Sequence, residues 1–443
     1  MSTRRRSLTH VGGEILLEGP SELAAILADA LGVAPAPSPV GRVEGDDIDR
    51  SHVHGFHTYP ARMHPVTAAR LVRALGKKGD LVLDPFCGSG TVLVESRLAG
   101  LHSHGVDLNP LAVRLALLKA TAPGERTRQS WITAAKRVAL IADERRKRRA
   151  GASRRYNDED AALFSPHVLL ELDGLMVGLH EQTDAVREVL ELVLSAILVK
   201  VSTKTSDTAE YNKTAHRIAA GYTAKLFVKK TDELVRRITD YAALLPSPRS
   251  RVEINVDDAT ELRSVTPNAV DLVVTSPPYA ATYDYYAHHE MRFRWLNIDA
   301  RSLADGELGA RRDYVGAPSA VAASERWTDE LAAWLRALHP TLKRDAHVAV
   351  LLADSAVRAG ALRADEVMKA ATHDGSFKIV ATASQQRPHF HKPTAHAFAK
   401  LARREHLLLL QPLERVESHH PSDQAKSARN RPPERRPPRR SVR

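Results

Sequence analysis

The 443 residues, 43% hydrophobic and 26% charged, are enough for at least one full core and exclude a membrane protein and a wholly disordered chain. No apolar run approaches the roughly 18 residues of a bilayer-spanning helix, which predicts a cytoplasmic protein with no membrane partner, and the single cysteine, Cys87, excludes an internal disulfide or a cysteine-rich zinc site. A net charge of +11 points to a polyanionic partner, although residues 415–443 hold nine Lys or Arg against three Asp or Glu, so +6 of it lies in the tail.

Residues 1–50 read as a weakly ordered N-terminal extension with one helix around PSELAAILADAL, followed by the Pro-rich APAPSPVG and the acidic EGDD. From residue 51 the text changes. HGFHTYPARMHP is polar, aromatic and Pro-punctuated, and Val66, Ala69, Leu71, Val72 and Leu75 then recur at helical spacing. DLVLDPFCGSGTVLVESRLAGLHSHGVDLNPLAVRLALLKA parses as strand, Gly-rich turn, helix, strand and helix, a βαβ pattern that makes 51–120 the first half of a parallel α/β domain. Residues 121–247 carry no strand signal. They read as an all-helical insertion between the second and third strands, a candidate nucleic-acid-binding region with the basic run KRVALIADERRKRRAGASRR. The α/β pattern resumes over 248–413 with strands at VEINV, AVDLVVT, HVAVLLADS, FKIVATAS and EHLLLLQ and a helix at ERWTDELAAWLRALHPTL. The Pro- and Arg-rich residues 414–443 predict a disordered basic tail, and no internal repeat is present.

The first chemical constellation begins where a hydrophobic strand ends at Asp84 and Gly88-Ser89-Gly90 opens a helix. Glycines there let a ligand approach the backbone and permit positive φ. Such a turn alone serves nucleotides, dinucleotides or S-adenosylmethionine, or is only tight. Asp107, seventeen residues after Gly90 at the end of the next strand, is placed to accept both hydroxyls of a ribose or to cap the following helix, and the two roles are compatible. The absence of Gly-Lys-Ser/Thr excludes a Walker-type phosphate loop, and the absence of G-x-G-x-x-G argues against a dinucleotide oxidoreductase.

The second constellation is Ser276-Pro277-Pro278-Tyr279, directly after an apolar strand. In isolation it is also a rigid surface turn. An exocyclic base amine is a poor nucleophile because its lone pair is delocalised into the ring, so a polar side chain and a backbone carbonyl must accept its two hydrogens. Two prolines hold such a carbonyl out of helical hydrogen bonding.

As a pair, Asp84-Pro85-Phe86-Cys87-Gly88-Ser89-Gly90-Thr91 and Ser276-Pro277-Pro278-Tyr279 resemble the D-P-F-x-G-S-G-T and D/N/S-P-P-Y/F motifs of the amino-methylating DNA methyltransferases. The resemblance implies an α/β, Rossmann-like S-adenosylmethionine-dependent methyltransferase sheet with a helical insertion. It implies S-adenosylmethionine at Asp84, Phe86, Gly88, Gly90 and Asp107, and a base amine held by Ser276 and the carbonyl of Pro277 with Tyr279 stacked on the base. The implied partner is double-stranded DNA, with cytosine N4 favoured over adenine N6 by the leading Ser276.

His57-Thr58-Tyr59-Pro60-Ala61-Arg62 resembles the family's H-x-Y-P-A-K/R segment, which makes Tyr59 and Arg62 candidates for covering the methionine end of the cofactor; a salt-bridged loop arginine is the alternative. One of Asp257 and Asp258 is expected to face the cofactor's adenine, with Asp258 favoured. TYDYYAHHEMRFRWLNID resembles the stretch beyond the tetrapeptide, where Arg292 and Arg294 suit phosphate contact while Phe293 and Trp295 suit either stacking or a core. No metal ligand is expected, the HFH at 389–391 included, and no Pro-Cys nucleophile for methylation at cytosine carbon-5 exists. The rivals are an RNA base methyltransferase, for example at guanine N2, and a non-catalytic nucleic-acid-binding relative, whose sign would be a broken tetrapeptide. Neither the target sequence nor a nuclease partner is spelled by any motif.

Overall fold

The computed structural model describes residues 13–33, 50–204, 206, 218–388 and 392–414. The APAPSPVG and EGDD stretches, the HFH at 389–391 and the tail from 415 lie outside the described residues.

Ten strands are present among them: β1 (Ile15–Glu18), β2 (Leu81–Asp84), β3 (His102–Asp107), β4 (Val252–Val256), β5 (Val270–Thr275), β6 (Leu342–Ala353), β7 (Ser355–Val357), β8 (Gly360–Leu362), β9 (Phe377–Gln386) and β10 (Arg404–Pro412). Eight of them form one sheet in the order β1-β9-β10-β6-β5-β2-β3-β4, and β7 and β8 make a small separate hairpin. Strands β2 to β6 are mutually parallel where they pair, β10 runs antiparallel to both β6 and β9, and β1 closes the far edge against β9. This is the Rossmann-like methyltransferase sheet that the motifs imply.

Side chains alternate across it as strand geometry requires. Val82, Leu272 and Ala349 pack on one face with Leu27, Leu71 and Val72 from helices Ser21–Leu31 and Pro65–Leu75. Leu83, Val273 and Val350 pack on the other with Trp327, Trp334 and Leu335 from helix Ala320–Leu338. Both faces are covered, which accounts for strands written as nearly continuous apolar runs. Residues 15–31, expected as weakly ordered, dock on this sheet: Leu27 and Ala30 are fully buried and β1 pairs with β9 over four residues. A four-residue edge strand is too short to show periodicity, which is why the sequence conceals it.

Between β3 and β4 the chain is helical: Pro110–Ala120, Glu125–Lys147, Asp158–Leu163, Pro166–His180, Asp184–Val201 and Tyr222–Leu244. Their common core includes Trp131, Leu172, Leu194, Ile197 and Phe227, and it runs without a break into Phe56 and Tyr59 upstream of the first motif, Cys87 within it, and Phe293 and Trp295 beyond the second. That packing corrects one expectation. Helix Tyr285–Leu296 lies against the inserted helices, so Arg292 is fully buried, Phe293 and Trp295 are core, and Arg294 pairs with Glu159 at 2.7 Å. Arg292 is therefore out of reach of a phosphate. No described helix is long and apolar enough to cross a membrane.

Candidate active site at the sheet switch point

From β2 the chain builds outward to β3 and β4, then returns to place β5 on the other side of β2. The order reverses between β2 and β5, and open α/β sheets bind ligands in the crevice at the carboxyl ends of the strands flanking such a reversal. The last residues of those two strands are bonded there: Thr275 Oγ1 donates to Asp84 Oδ1 at 2.7 Å. Asp84 also accepts from the Phe86 N–H at 3.2 Å, and burial pushes its carboxyl up to about 7.

The turn after β2 is shaped by its glycines. Gly88 has φ +49 and donates its N–H to Asp107 Oδ2 at 2.8 Å; a Cβ on it would meet the Tyr59 ring at 3.3 Å. Asp107 Oδ1 accepts from the Asn109 N–H at 2.8 Å. Each carboxylate oxygen is thus aimed by one backbone donor and keeps lone pairs for the cleft. Burial raises Asp107 to about 6, against the lowering by those two donors. Asn109 itself caps helix Pro110–Ala120, accepting from Leu111 at 3.0 Å, and its amide reaches His289 Nδ1 at 3.1 Å.

A cleft with about 640 Å³ of unfilled space, open solvent included, lies over these strand ends. Tyr59, Phe86, Gly88, Asp107, Asp258, Ser276 and Pro278 all line it, and a smaller pocket of about 330 Å³ beside it adds Arg62 and Asp84 while sharing Tyr59, Phe86, Gly88 and Ser276. The two distant loops therefore meet. Asp258 faces the cleft with Oδ1 held by Thr260, whereas Asp257 spends Oδ2 on the Ser264 N–H and hydroxyl, both at 2.7 Å. Arg62 donates to the carbonyl of His54.

Of the tetrapeptide and the expected cofactor-binding residues, three line neither cavity. Pro277 is buried under the turn. Tyr279 is half-buried against the core with its hydroxyl 3.1 Å from Ser276 Oγ, and burial raises its phenol well above the ordinary value. Gly90 has φ +84 and serves packing: a Cβ there would stand 3.0 Å from both Cα and Cβ of Ala116. Gly90→Ala should accordingly cost about 1–3 kcal/mol of stability, read as a lower denaturation midpoint, through left-handed strain and that close approach.

Other lining residues carry no sequence signal or a faint one. Glu307 accepts the N–H groups of Tyr285 and Tyr286 at 2.6 and 3.2 Å and pairs with Arg312 at 2.8 Å, and burial raises its carboxyl. Tyr285, inside the aromatic stretch, stacks on Tyr59 with centroids 6.2 Å apart. For Asn109 the signal available was an Asn directly before Pro110, although the cap was expected at Asp107; Glu307 had none, because only the folded chain brings 303–308 to the cleft that Asp107 and Asp258 also line.

The donor set fits a cationic adenosine. Asp107, Asp258 and Glu307 give the larger cavity three carboxylates and no Lys or Arg, which suits a sulfonium and a neutral ribose and repels a phosphate. Away from both cavities, His52-His54-Glu95 and Asp354-Asp365-His406 are close enough to share an ion. In the first, His54 bonds Glu95 at 2.8 Å and burial holds His52 down at about 3; in the second, Asp354 takes the Ala364 and Arg404 N–H groups and His406.

The strand order and the switch-point cleft define a Rossmann-like α/β fold with a ligand-sized crevice at the strand ends. Residues 41–118 match the family model described as DNA methylase. The Type II methyltransferase M.MjaII of Methanocaldococcus jannaschii is 37% identical over 68 residues, 15% of this chain and 13% of its own length. M.BsoBI of Geobacillus stearothermophilus is 22% identical over 287 residues, 57% of this chain and 54% of its own. A tRNA (guanine(10)-N2)-dimethyltransferase of Methanothermobacter thermautotrophicus is 43% identical over 61 residues, 14% of this chain and 18% of its own. The chain thus spans about half of one of these relatives and far less of the other two. Residues 41–118, which carry the first motif, are thus similar to the DNA methylases over 78 of the 443 residues, the resemblance that the motif indicated.

Proposed function

We propose that the protein is a DNA methyltransferase that transfers the methyl group of S-adenosylmethionine to an exocyclic base amine in double-stranded DNA, cytosine N4 in preference to adenine N6. The observation that carries this reading is the shared cleft, in which Ser276 stands with Phe86, Gly88 and Asp107.

In this reading Asp107 accepts the ribose hydroxyls, Asp258 faces the adenine, Phe86 and Gly88 form the floor, and Tyr59 and Arg62 cover the methionine end. Asp84 fixes the floor through Thr275, and Gly90 through the helix it opens. When bound, S-adenosylmethionine supplies an electrophilic methyl group on a sulfonium. The target base leaves the duplex, because a stacked base cannot reach a recessed cleft. Its amine donates one hydrogen to Ser276 Oγ and the other to the carbonyl of Pro277, which localises the nitrogen lone pair along the line of attack. Tyr279 Oη, 3.1 Å from Ser276 Oγ, sets the orientation of that hydroxyl, and its ring is the stacking surface for the base once the loop admits one. No covalent enzyme intermediate would form: the nitrogen–carbon bond would be made as the carbon–sulfur bond breaks, S-adenosylhomocysteine would leave as a neutral thioether, and the amine would release one proton to solvent. Ser276 carries no charge, and the preference for cytosine N4 rests on the family association of a leading serine.

RNA base methylation is the second reading, favoured by the 61-residue match to a tRNA dimethyltransferase. Transfer of labelled methyl from S-adenosylmethionine to duplex DNA, single-stranded DNA and RNA, followed by nucleoside mass spectrometry, separates the two. N4-methylcytosine in duplex DNA is the expected product; N6-methyladenine would correct the base, and label confined to RNA would replace the substrate.

A further inference from the structure

Charge is unevenly distributed over this chain. Residues 125–155 hold eleven Lys or Arg against three Asp or Glu, a net +8. Residues 1–414 together carry only +5, so everything in them outside this one stretch is net acidic by 3. Most of the stretch is a single helix, Glu125–Lys147.

That helix has two faces. Trp131, Ala135, Val138 and Ala142 are buried and hold it against the other inserted helices. Arg126, Arg137 and Arg148, eleven residues apart, fall within about 40° of one another on the opposite side, since eleven residues make nearly three full turns. Lys136 and Lys147 stand next to two of them. All five are exposed, Arg137 by 68% and Arg148 by 80% of the side chain. Their carboxylate partners are loose or shared: Arg137 to Glu181 at 3.8 Å, Arg148 to Glu144 at 3.9 Å, and Lys147 to an Asp143 that Arg146 also holds. No carboxylate pairs with Arg126 or Lys136 among the described residues. Exposed pairs of this kind contribute little and give way to a phosphate at small cost.

At its lower end the ridge is tied to the catalytic half. Arg154 lies over the rings of Tyr156 and Trp295, 5.0 and 5.2 Å from their centroids, and Tyr156 stacks on Trp295. Trp295 belongs to helix Tyr285–Leu296, whose first residue lines the cleft.

We infer that the exposed face of helix Glu125–Lys147 is the phosphate-binding ridge that grips the backbone of duplex DNA while a base occupies the cleft. The inference rests on the proposed DNA methyltransferase reading and names the surface that reading lacks. The helix is about 34 Å long at 1.5 Å per residue, about one turn of B-form DNA, so its three tiers of cations, about 16 Å apart, can meet successive crossings of the two phosphate strands along one side of the duplex. Phosphate binding of this kind positions the duplex and carries no sequence information.

The test compares the full chain with a variant in which Arg126, Lys136, Arg137, Lys147 and Arg148 are all replaced by Gln. Fluorescence anisotropy of a labelled duplex is read across a salt series, beside cofactor affinity for each protein. Each phosphate that is no longer neutralised should lower the slope of log affinity against log salt by about 0.9, so a reduction of about 3 or more and at least tenfold weaker binding are expected. Cofactor affinity should not change. The basic tail is present in both proteins and cancels. A variant carrying Arg126→Lys, Arg137→Lys and Arg148→Lys, which keeps the charge, should keep the parent slope; loss of the slope here too would assign the effect to packing and overturn the ridge. An unchanged slope in the Gln variant overturns the ridge alone if the parent still methylates duplex DNA, whereas a parent that neither binds nor methylates duplex overturns the function as well.

Discussion

Ser276→Ala is expected to lower turnover by at least about 10²–10³-fold while cofactor affinity stays within about twofold, because the hydroxyl meets the amine and not the adenosine. The geometry makes this a sharp split. Ser276 lies on both the larger cavity and the smaller pocket, but the groups that would hold the cofactor come from other strands and are held without it, Asp107 by the Gly88 and Asn109 N–H groups and Asp258 by Thr260. Truncation also frees the Tyr279 hydroxyl. Tyr279→Phe is therefore the control: it removes the partner but leaves Ser276, and should cost far less. Single-turnover rates with saturating cofactor, together with direct titration of cofactor binding, decide the matter. A large loss of cofactor binding in Ser276→Ala would mean that Ser276 shapes the adenosine pocket and that the transfer chemistry lies elsewhere.

What the sequence disclosed and what it hid follow from the range of the forces involved. Asp84, Gly88 and Asp107 were legible because their chemistry is local, with a strand end, a turn and a second strand end separated by one helix, so linear spacing maps directly onto space. Ser276 was singled out only because its tetrapeptide follows an apolar strand and comes downstream of the matching glycine turn; alone, two prolines also make a surface turn. The sheet itself was readable from its apolar runs. Arg292 misled because a cation on a helix is ordinarily solvated; only the packing of helix Tyr285–Leu296 against the inserted helices, Asp184–Val201 among them, buries it. Glu307 was silent for the same reason, since its partners are backbone N–H groups that sequence cannot display. Gly90 was identified as special, but a glycine does not reveal whether its missing side chain makes room for a ligand or for a neighbouring helix, here Ala116.

Asp107→Asn is expected to abolish most cofactor affinity, by at least about a hundredfold, and to remove a pH dependence that the parent protein should show. Both carboxylate oxygens accept a backbone N–H, from Gly88 and Asn109. An amide can accept at only one of them; its NH2 then faces a buried donor, and an unmatched buried donor costs about 1–3 kcal/mol on top of the missing ribose hydrogen bonds. The pH effect follows from burial, which raises the carboxyl from the ordinary 3.8 to about 6. The folded protein holds this proton more tightly than the unfolded chain, so the group favours the fold fully below pH 3.8, and that contribution is lost as pH rises toward 6. Cofactor binding runs the other way. A ribose and a sulfonium favour the carboxylate, so affinity in the parent should fall by up to about tenfold for each pH unit below 6 and level off above it. Asp84, raised to about 7, is retained in the variant, and the difference between the two profiles isolates Asp107. Calorimetric titration of S-adenosylmethionine between about pH 5 and 8 measures both, and a parent profile that is flat between about 5 and 7 would show that Asp107 does not hold the cofactor.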